Sequence, residues 1–357
     1  MSAFDYGNAR LRGMKSRLLT RRDLENLTGA SSIAGLIAAL TKTAYRKPIE
    51  FALARTTGME CINEALRADL VNTLGKIRNY YNERAGEMVS ITLRPYDLHN
   101  ITAILRGLGN AIAPGKILDT LVPVGELDLH TLTSLSRAPG LRAAVDMIVS
   151  MHLPFGLPLL RLRAEQPGAG LLEMEMTLQC WHFQQAMDYA SGIPDSEWFK
   201  AAINLEADLI NLRTALRFVH APNERETINQ QNNAQHIYNL FVGPGNLSFK
   251  FLDHISQQEN MKEAVEMLSG TAYGPDIRRG YEAYRLSNQL SEFERYLNLS
   301  RLNWMASLIN QDPLGIGLVL GFIALKVNEV NNLRWIANGI NLSLKSADIQ
   351  EQLEIAQ

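Results

Sequence analysis

Leu121-Val-Pro-Val-Gly-Glu-Leu127 and Phe241-Val-Gly-Pro-Gly-Asn-Leu247 are two versions of one phrase set 120 positions apart. Each has an apolar start, a proline and glycine turn, a polar residue and a closing leucine. The match continues without a gap: Leu132 faces Leu252, and Ala144-Val-Asp-Met-Ile148 faces Ala264-Val-Glu-Met-Leu268. A shift of 108 positions toward the N-terminus sets Leu19 on Leu127, Leu24 on Leu132, Ile37 on Val145 and Leu40 on Ile148. Leu40-Thr-Lys-Thr-Ala-Tyr45 then reads like Leu268-Ser-Gly-Thr-Ala-Tyr273. Self-similarity at a long fixed period marks stacked units that bury a face against their neighbours.

A second signature lies between those windows: Asp97-Leu-His-Asn100-Ile101, Asp208-Leu-Ile-Asn211-Leu212 and Glu329-Val-Asn-Asn332-Leu333. An acid, an asparagine three later and an aliphatic next share one helix face, because positions i and i+3 are neighbours there. Arginines follow at Arg106, Arg213, Arg217 and Arg334. Acid and amide together suit a structural joint, in which they hold a neighbouring segment or cap exposed backbone and an arginine neutralises the acid. A ridge facing a partner is the other reading of Asp97, Asn100, Asp208, Asn211, Glu329, Asn332 and Arg334. A joint recurs once per unit, whereas a catalytic site usually occurs once.

Around these motifs the apolar period is that of a helix. Leu205, Leu209, Leu212, Leu216 and Val219 form one stripe, and Ile101, Ile104, Leu105, Leu108 and Ile112 form another. Proline and glycine turns at Pro114, Pro123, Pro154, Pro167, Pro222 and Pro244 punctuate the chain, with no hairpin signal between alternating segments. The sequence predicts an all-α protein of three similar helical repeats: 46–153, 154–273 and 274–357. Residues 1–45 complete the third, so residues 19–45 are expected to pack against residues near 317–344.

The 357 residues are more than twice the usual size of a single core and suggest two or three units. Lys and Arg total 35 against 37 Asp and Glu, a balance that gives no footprint for nucleic acid. Two cysteines, Cys61 and Cys180, exclude a disulfide scaffold and suit a reducing cytosol. The first residues, Met1-Ser-Ala-Phe-Asp-Tyr6, lack a signal-peptide core. The apolar run Leu314 to Leu325 is twelve residues, whereas a bilayer core takes about 20, so it reads as a buried helix.

Chemistry-bearing motifs are few. Gly109 to Lys116 imitates a phosphate loop, but it has one residue too many between its glycines, and Ile117 stands where Ser or Thr would hold magnesium. The seven histidines form no metal-binding pair, and Glu173 and Glu175 are out of step for one helix face. Trp181, Trp198, Trp304 and Trp335 fall in helical apolar patterns and are expected in packing. The run Asn229 to Gln235 reads as a solvated insertion. No cofactor and no small-molecule substrate is expected.

Tyr6-Gly-Asn-Ala-Arg10-Leu-Arg12-Gly-Met14-Lys-Ser16, the Leu40–Tyr45 segment and Lys326-Val-Asn-Glu329-Val-Asn-Asn332-Leu-Arg334-Trp-Ile336 resemble the C subunit of V-type and A-type rotary ATPases, known in eukaryotic V-ATPases as the d subunit. The resemblance covers nearly the whole chain. It implies a funnel of three helical units about a pseudo-threefold axis, seated at the cytoplasmic face of the membrane as a peripheral rotor part. The implied partners are the central-shaft subunits and the proteolipid ring, with no catalytic site and no nucleotide. The middle of the chain departs from the family in its loops, notably Ala164 to Gly170. A helical adaptor in another complex is the alternative, and an enzyme whose site no motif reveals is a weaker third.

Overall fold

A computed structural model describes residues 3–194, 196–223, 241–243 and 245–356. Among these residues it has eighteen α-helices and no strand. The Asn229–Gln235 run lies outside the described residues. The chain divides into two compact units, Met1–Asp97 with Val122–Asp128 and Leu302–Gln357, and Leu98–Leu121 with Leu129–Arg301. Two of the four divisions fall inside long helices, α6 (Glu83–Gly109) and α16 (Ser291–Gln311).

The first unit is built on α17 (Ile316–Asn341). Asp312 Oδ2 accepts the Gly317 N–H at 2.7 Å and so satisfies one of the orphan donors at this helix's start. A Cβ at Gly321 would lie 2.5 Å from Ile309 Cγ1 and 2.6 Å from Met305 O, so the glycine lets α17 lie close on the end of α16. By length and composition α17 could cross a membrane, but 78% of its apolar window is buried inside the protein, as in a core helix. Residues Ile316 to Ala324 are all buried, and the apolar run from Leu314 forms the first half of this helix.

Around α17 pack α1 (Asp5–Lys15), α2 (Arg21–Leu27), α3 (Ile33–Leu40), α5 (Gly58–Arg78) and α18 (Ser346–Glu351). A capping box between Thr20 and Asp23 starts α2, and the Ser32 hydroxyl caps α3. Helix α1 is tied to the turn before α17: Asn8 Nδ2 donates to Gly315 O at 3.0 Å and Arg12 to Pro313 O at 2.7 Å. Residues of the 19–45 stretch therefore lie on α17, through both helix packing and hydrogen bonds.

In the second unit α12 (Glu197–His220) carries the stripe seen in sequence. Leu209, Leu212, Leu216 and Val219 are buried with α13 (Phe249–Ser256) and α14 (Met261–Leu268), while Leu205 is half-buried at the margin. The α6 stripe is shorter than expected. That helix stops at Gly109, Ala111 takes a left-handed backbone (φ 52°), and Ile112 is exposed. Pro114 opens α7 (Pro114–Leu118), its missing N–H harmless at the first helical position, so the phosphate-loop lookalike is a helix-to-helix turn. Trp335 is also exposed, unlike the packing expected of it.

The sequence windows that match one another have matching local structure. A short helix after the closing leucine recurs as α2, α8 (Leu129–Ser136) and α13, and a second recurs as α3, α9 (Leu141–Ser150) and α14. A third, α4 (Arg46–Leu53), α10 (Gly156–Glu165) or α15 (Gly274–Ser287), follows an aromatic N-cap residue: Tyr45, Phe155 or Tyr273.

Candidate functional site

The acid and asparagine of each signature are buried, and all three acids and the asparagines Asn211 and Asn332 grip backbone. Asp208 accepts the Asn246 N–H at 2.9 Å on Oδ2 and the Leu247 N–H at 3.0 Å on Oδ1, while the Tyr273 hydroxyl donates to Oδ2 at 2.6 Å. One turn on, Asn211 Oδ1 accepts the Val242 N–H at 2.8 Å and its Nδ2 donates to Gly243 O at 3.0 Å. Four residues of one loop are thus held by two side chains of α12. A loop that forms no ladder must place its N–H groups somewhere, and these side chains supply the acceptors.

Asp97, fully buried on α6, holds the earlier phrase the same way. It accepts from Glu126 N at 2.7 Å and Leu127 N at 3.1 Å. Asn100 is fully buried one turn along. Arg78 donates to Gly125 O and Arg94 pairs with Glu126 at 3.0 Å. Burial, aided by the Glu126 charge, pushes the Asp97 carboxyl up to about 6, against the pull of its two N–H donors and Arg78. The sign follows. The fold penalises the ionised form above about pH 6, and that penalty is relieved as pH falls through 6. Relative to Asp97→Asn, the natural chain should therefore gain stability between pH 7 and pH 5 in urea unfolding. A difference that does not change with pH would contradict this.

Glu329 on α17 is the third acid. Its Oε2 accepts the Leu19 N–H, and its Oε1 accepts from the Tyr45 hydroxyl and from Lys326 Nζ, each at 2.7 Å. Lys326 Nζ also donates to Tyr45 Oη at 2.8 Å, pairs with Asp69 Oδ2 at 2.7 Å and lies 4.5 Å from the Tyr45 ring centroid. Burial, with the Glu329 and Asp69 charges, pushes the Tyr45 hydroxyl far above its ordinary range. Asn332 takes the Glu354 N–H on Oδ1 at 3.1 Å and donates to Glu354 O at 2.7 Å.

Every carboxylate oxygen of Asp97, Asp208 and Glu329 thus meets a donor from the protein, and the three leucines aligned in sequence (Leu19, Leu127 and Leu247) are donors at the three acids. Such groups stiffen a fold and leave no acceptor facing open space. The arginine role departs from expectation. Arg106 pairs with Glu175 and Arg213 donates to Asn298, while the cation on Glu329 is Lys326, one turn back on the same helix. Arg334 is half-buried, and its charge acts on Tyr45 from a distance.

The tyrosines are visible in sequence as Thr-Ala-Tyr endings, but their role is not. Thr43 and Thr271 each donate to the carbonyl three residues back, at 2.7 Å, and each accepts the N–H of its tyrosine. Both tyrosines are thereby aimed at an acid. Loop glycines close the fit: a Cβ at Gly125 would overlap Asp97 and one at Gly245 would overlap Asp208. Gly245→Ala should destabilise the second unit by about 1–3 kcal/mol, the cost of overpacking, read as a fall in the urea midpoint. An unchanged midpoint would show that the loop can back away.

Residues 7–352 match the family model described as ATP synthase (C/AC39) subunit. The C subunit of the A-type ATP synthase of Methanococcoides burtonii is 28% identical, over 99% of this chain and 95% of its own length. That of Pyrococcus abyssi is 25% identical over 98% and 90%, and that of Haloquadratum walsbyi 21% identical over 98% and 97%. The chain belongs to the ATP synthase C/AC39 family, the structural stalk subunits, not the catalytic ones, of a membrane-associated rotary ATPase.

Proposed function

We propose that this chain is the rotor part that joins the central shaft to the proteolipid ring and transmits torque between ATP hydrolysis or synthesis and ion translocation. It would sit at the cytoplasmic face of the membrane as a peripheral subunit. The observation that carries this reading is the family match over nearly the whole chain. The buried grips support it, since a part loaded in torsion needs loops that do not slip, and close packing transmits strain. The proposed architecture is three repeats, 46–153, 154–273 and 274–357, about a pseudo-threefold axis, with residues 1–45 completing the third. In it, Asp97 with Asn100, Asp208 with Asn211, and Glu329 with Asn332 are the joints, and Arg334 flanks the last.

A linker under torque needs broad, obligate contacts, on the order of 2,000 Å² or more in total. Detergent extraction of membranes carrying a tagged copy, with mass spectrometry of what stays bound, tests the reading. A shaft subunit and a small proteolipid should be recovered together. Elution of the chain alone under mild conditions would contradict it.

A further inference from the structure

The grips at Asp208/Asn211 and at Glu329/Asn332 differ in one respect. On α12 the amide holds Val242 and Gly243 and the acid holds Asn246 and Leu247, two pairs only a few positions apart in sequence. On α17 the amide holds Glu354 while the acid holds Leu19, two segments more than three hundred positions apart. The place filled on α12 by Val242 and Gly243 is filled on α17 by the backbone of Glu354, which also receives Asn328 Nδ2 at 2.7 Å. Both contacts of Asn332 are to main chain, so this part of the site reads a peptide backbone whatever its side chain.

The same segment is anchored further back. Ile349 of α18 is 1% exposed, and a Cβ at Gly339 of α17 would lie 2.7 Å from its Cγ1, so the glycine forms the seat for this side chain. On its other side α18 reaches α2. Ser346 Oγ lies 2.7 Å from Thr28 Oγ1, and Gln350 Nε2 donates to Thr28 Oγ1 at 2.9 Å. The segment thus touches both α17 and the N-terminal stretch that α17 carries.

We infer that the Asn328–Asn332–Gly339 face of α17 is a peptide-binding site whose occupant is the chain's own segment 346–356. Its ligand is a short helix with one apolar anchor, followed by a non-helical stretch held through its main chain. Occupancy clamps residues 19–45 onto α17, and release frees them, while the segments held on α12 are neighbours in sequence.

A chain truncated after Leu344 tests it, by hydrogen exchange with and without a synthetic peptide of residues 345–357. Truncation should speed amide exchange across 19–45 by about tenfold or more, with little change across 241–256. Added peptide should restore protection, and the same peptide carrying Ile349→Asp should not. Unchanged exchange on truncation, no rescue by the peptide, or equal rescue by Ile349→Asp would each overturn the site. Should the truncated chain not fold, Asn332→Ala in the full chain replaces it. Exchange should then rise at residues 353–356 and across 19–45, and wild-type protection there would overturn the site equally.

Discussion

Replacing Lys326 with alanine is expected to destabilise the first unit by about 3–5 kcal/mol, the cost of leaving a buried charge without its partner. The Lys326 side chain is 7% exposed, and its ammonium is the cation held at 2.7 Å by both Glu329 and Asp69. Glu329 is 4% exposed, so its carboxylate cannot recover by hydration when the lysine is removed. Leu19 and Tyr45 would then be bound to an unbalanced acid. The double change Lys326→Met with Glu329→Gln removes both charges and should recover part of the loss, as coupled neighbours do. Urea unfolding, with hydrogen exchange to locate the effect in α17 and residues 19–45, measures it. A single variant within about 1 kcal/mol of the natural chain, the value of an exposed pair, would show that the cluster is not buried as described.

Asp208→Ala is expected to cost a similar amount in the second unit. Three donors lose their acceptor at once: the Asn246 and Leu247 amides and the Tyr273 hydroxyl. Each buried orphan costs about 1–3 kcal/mol, with incomplete additivity. Tyr273→Phe removes a single donor and leaves the carboxylate two backbone partners, so its cost should be about 1 kcal/mol. The ratio carries the claim, because it separates an acid that holds a loop from one that merely fills space. Equal effects in the two variants, by urea midpoint and by exchange of the 245–247 amides, would reject the grip.

The all-α class and the positions of the acid and amide were legible in sequence, because apolar period and repeated phrases are local signals. Leu209, Leu212, Leu216 and Val219 face the core as their spacing requires. Ile112 does not, because an apolar stripe is blind to a left-handed residue such as Ala111 that ends the helix first. Partner choice was less legible. Arg106, Arg213 and Arg334 follow the acids in sequence, yet the side chain that reaches Glu329 from outside its helix is Tyr45, 284 positions away, and proximity in sequence says nothing of that. Lys326 was within reach of reading, being three residues from Glu329. The Glu354 contact left no sequence trace, since Asn332 reads only its main chain.

The proposed coupling role is tested most directly by ATP-driven ion uptake into vesicles whose rotary ATPase has been stripped of this chain and then given it back. ATP hydrolysis should persist in the stripped enzyme while ion uptake is lost, and uptake should return when the natural chain is added. Ion uptake that continues at full rate without the chain would contradict the account, because torque would then reach the ring by another route.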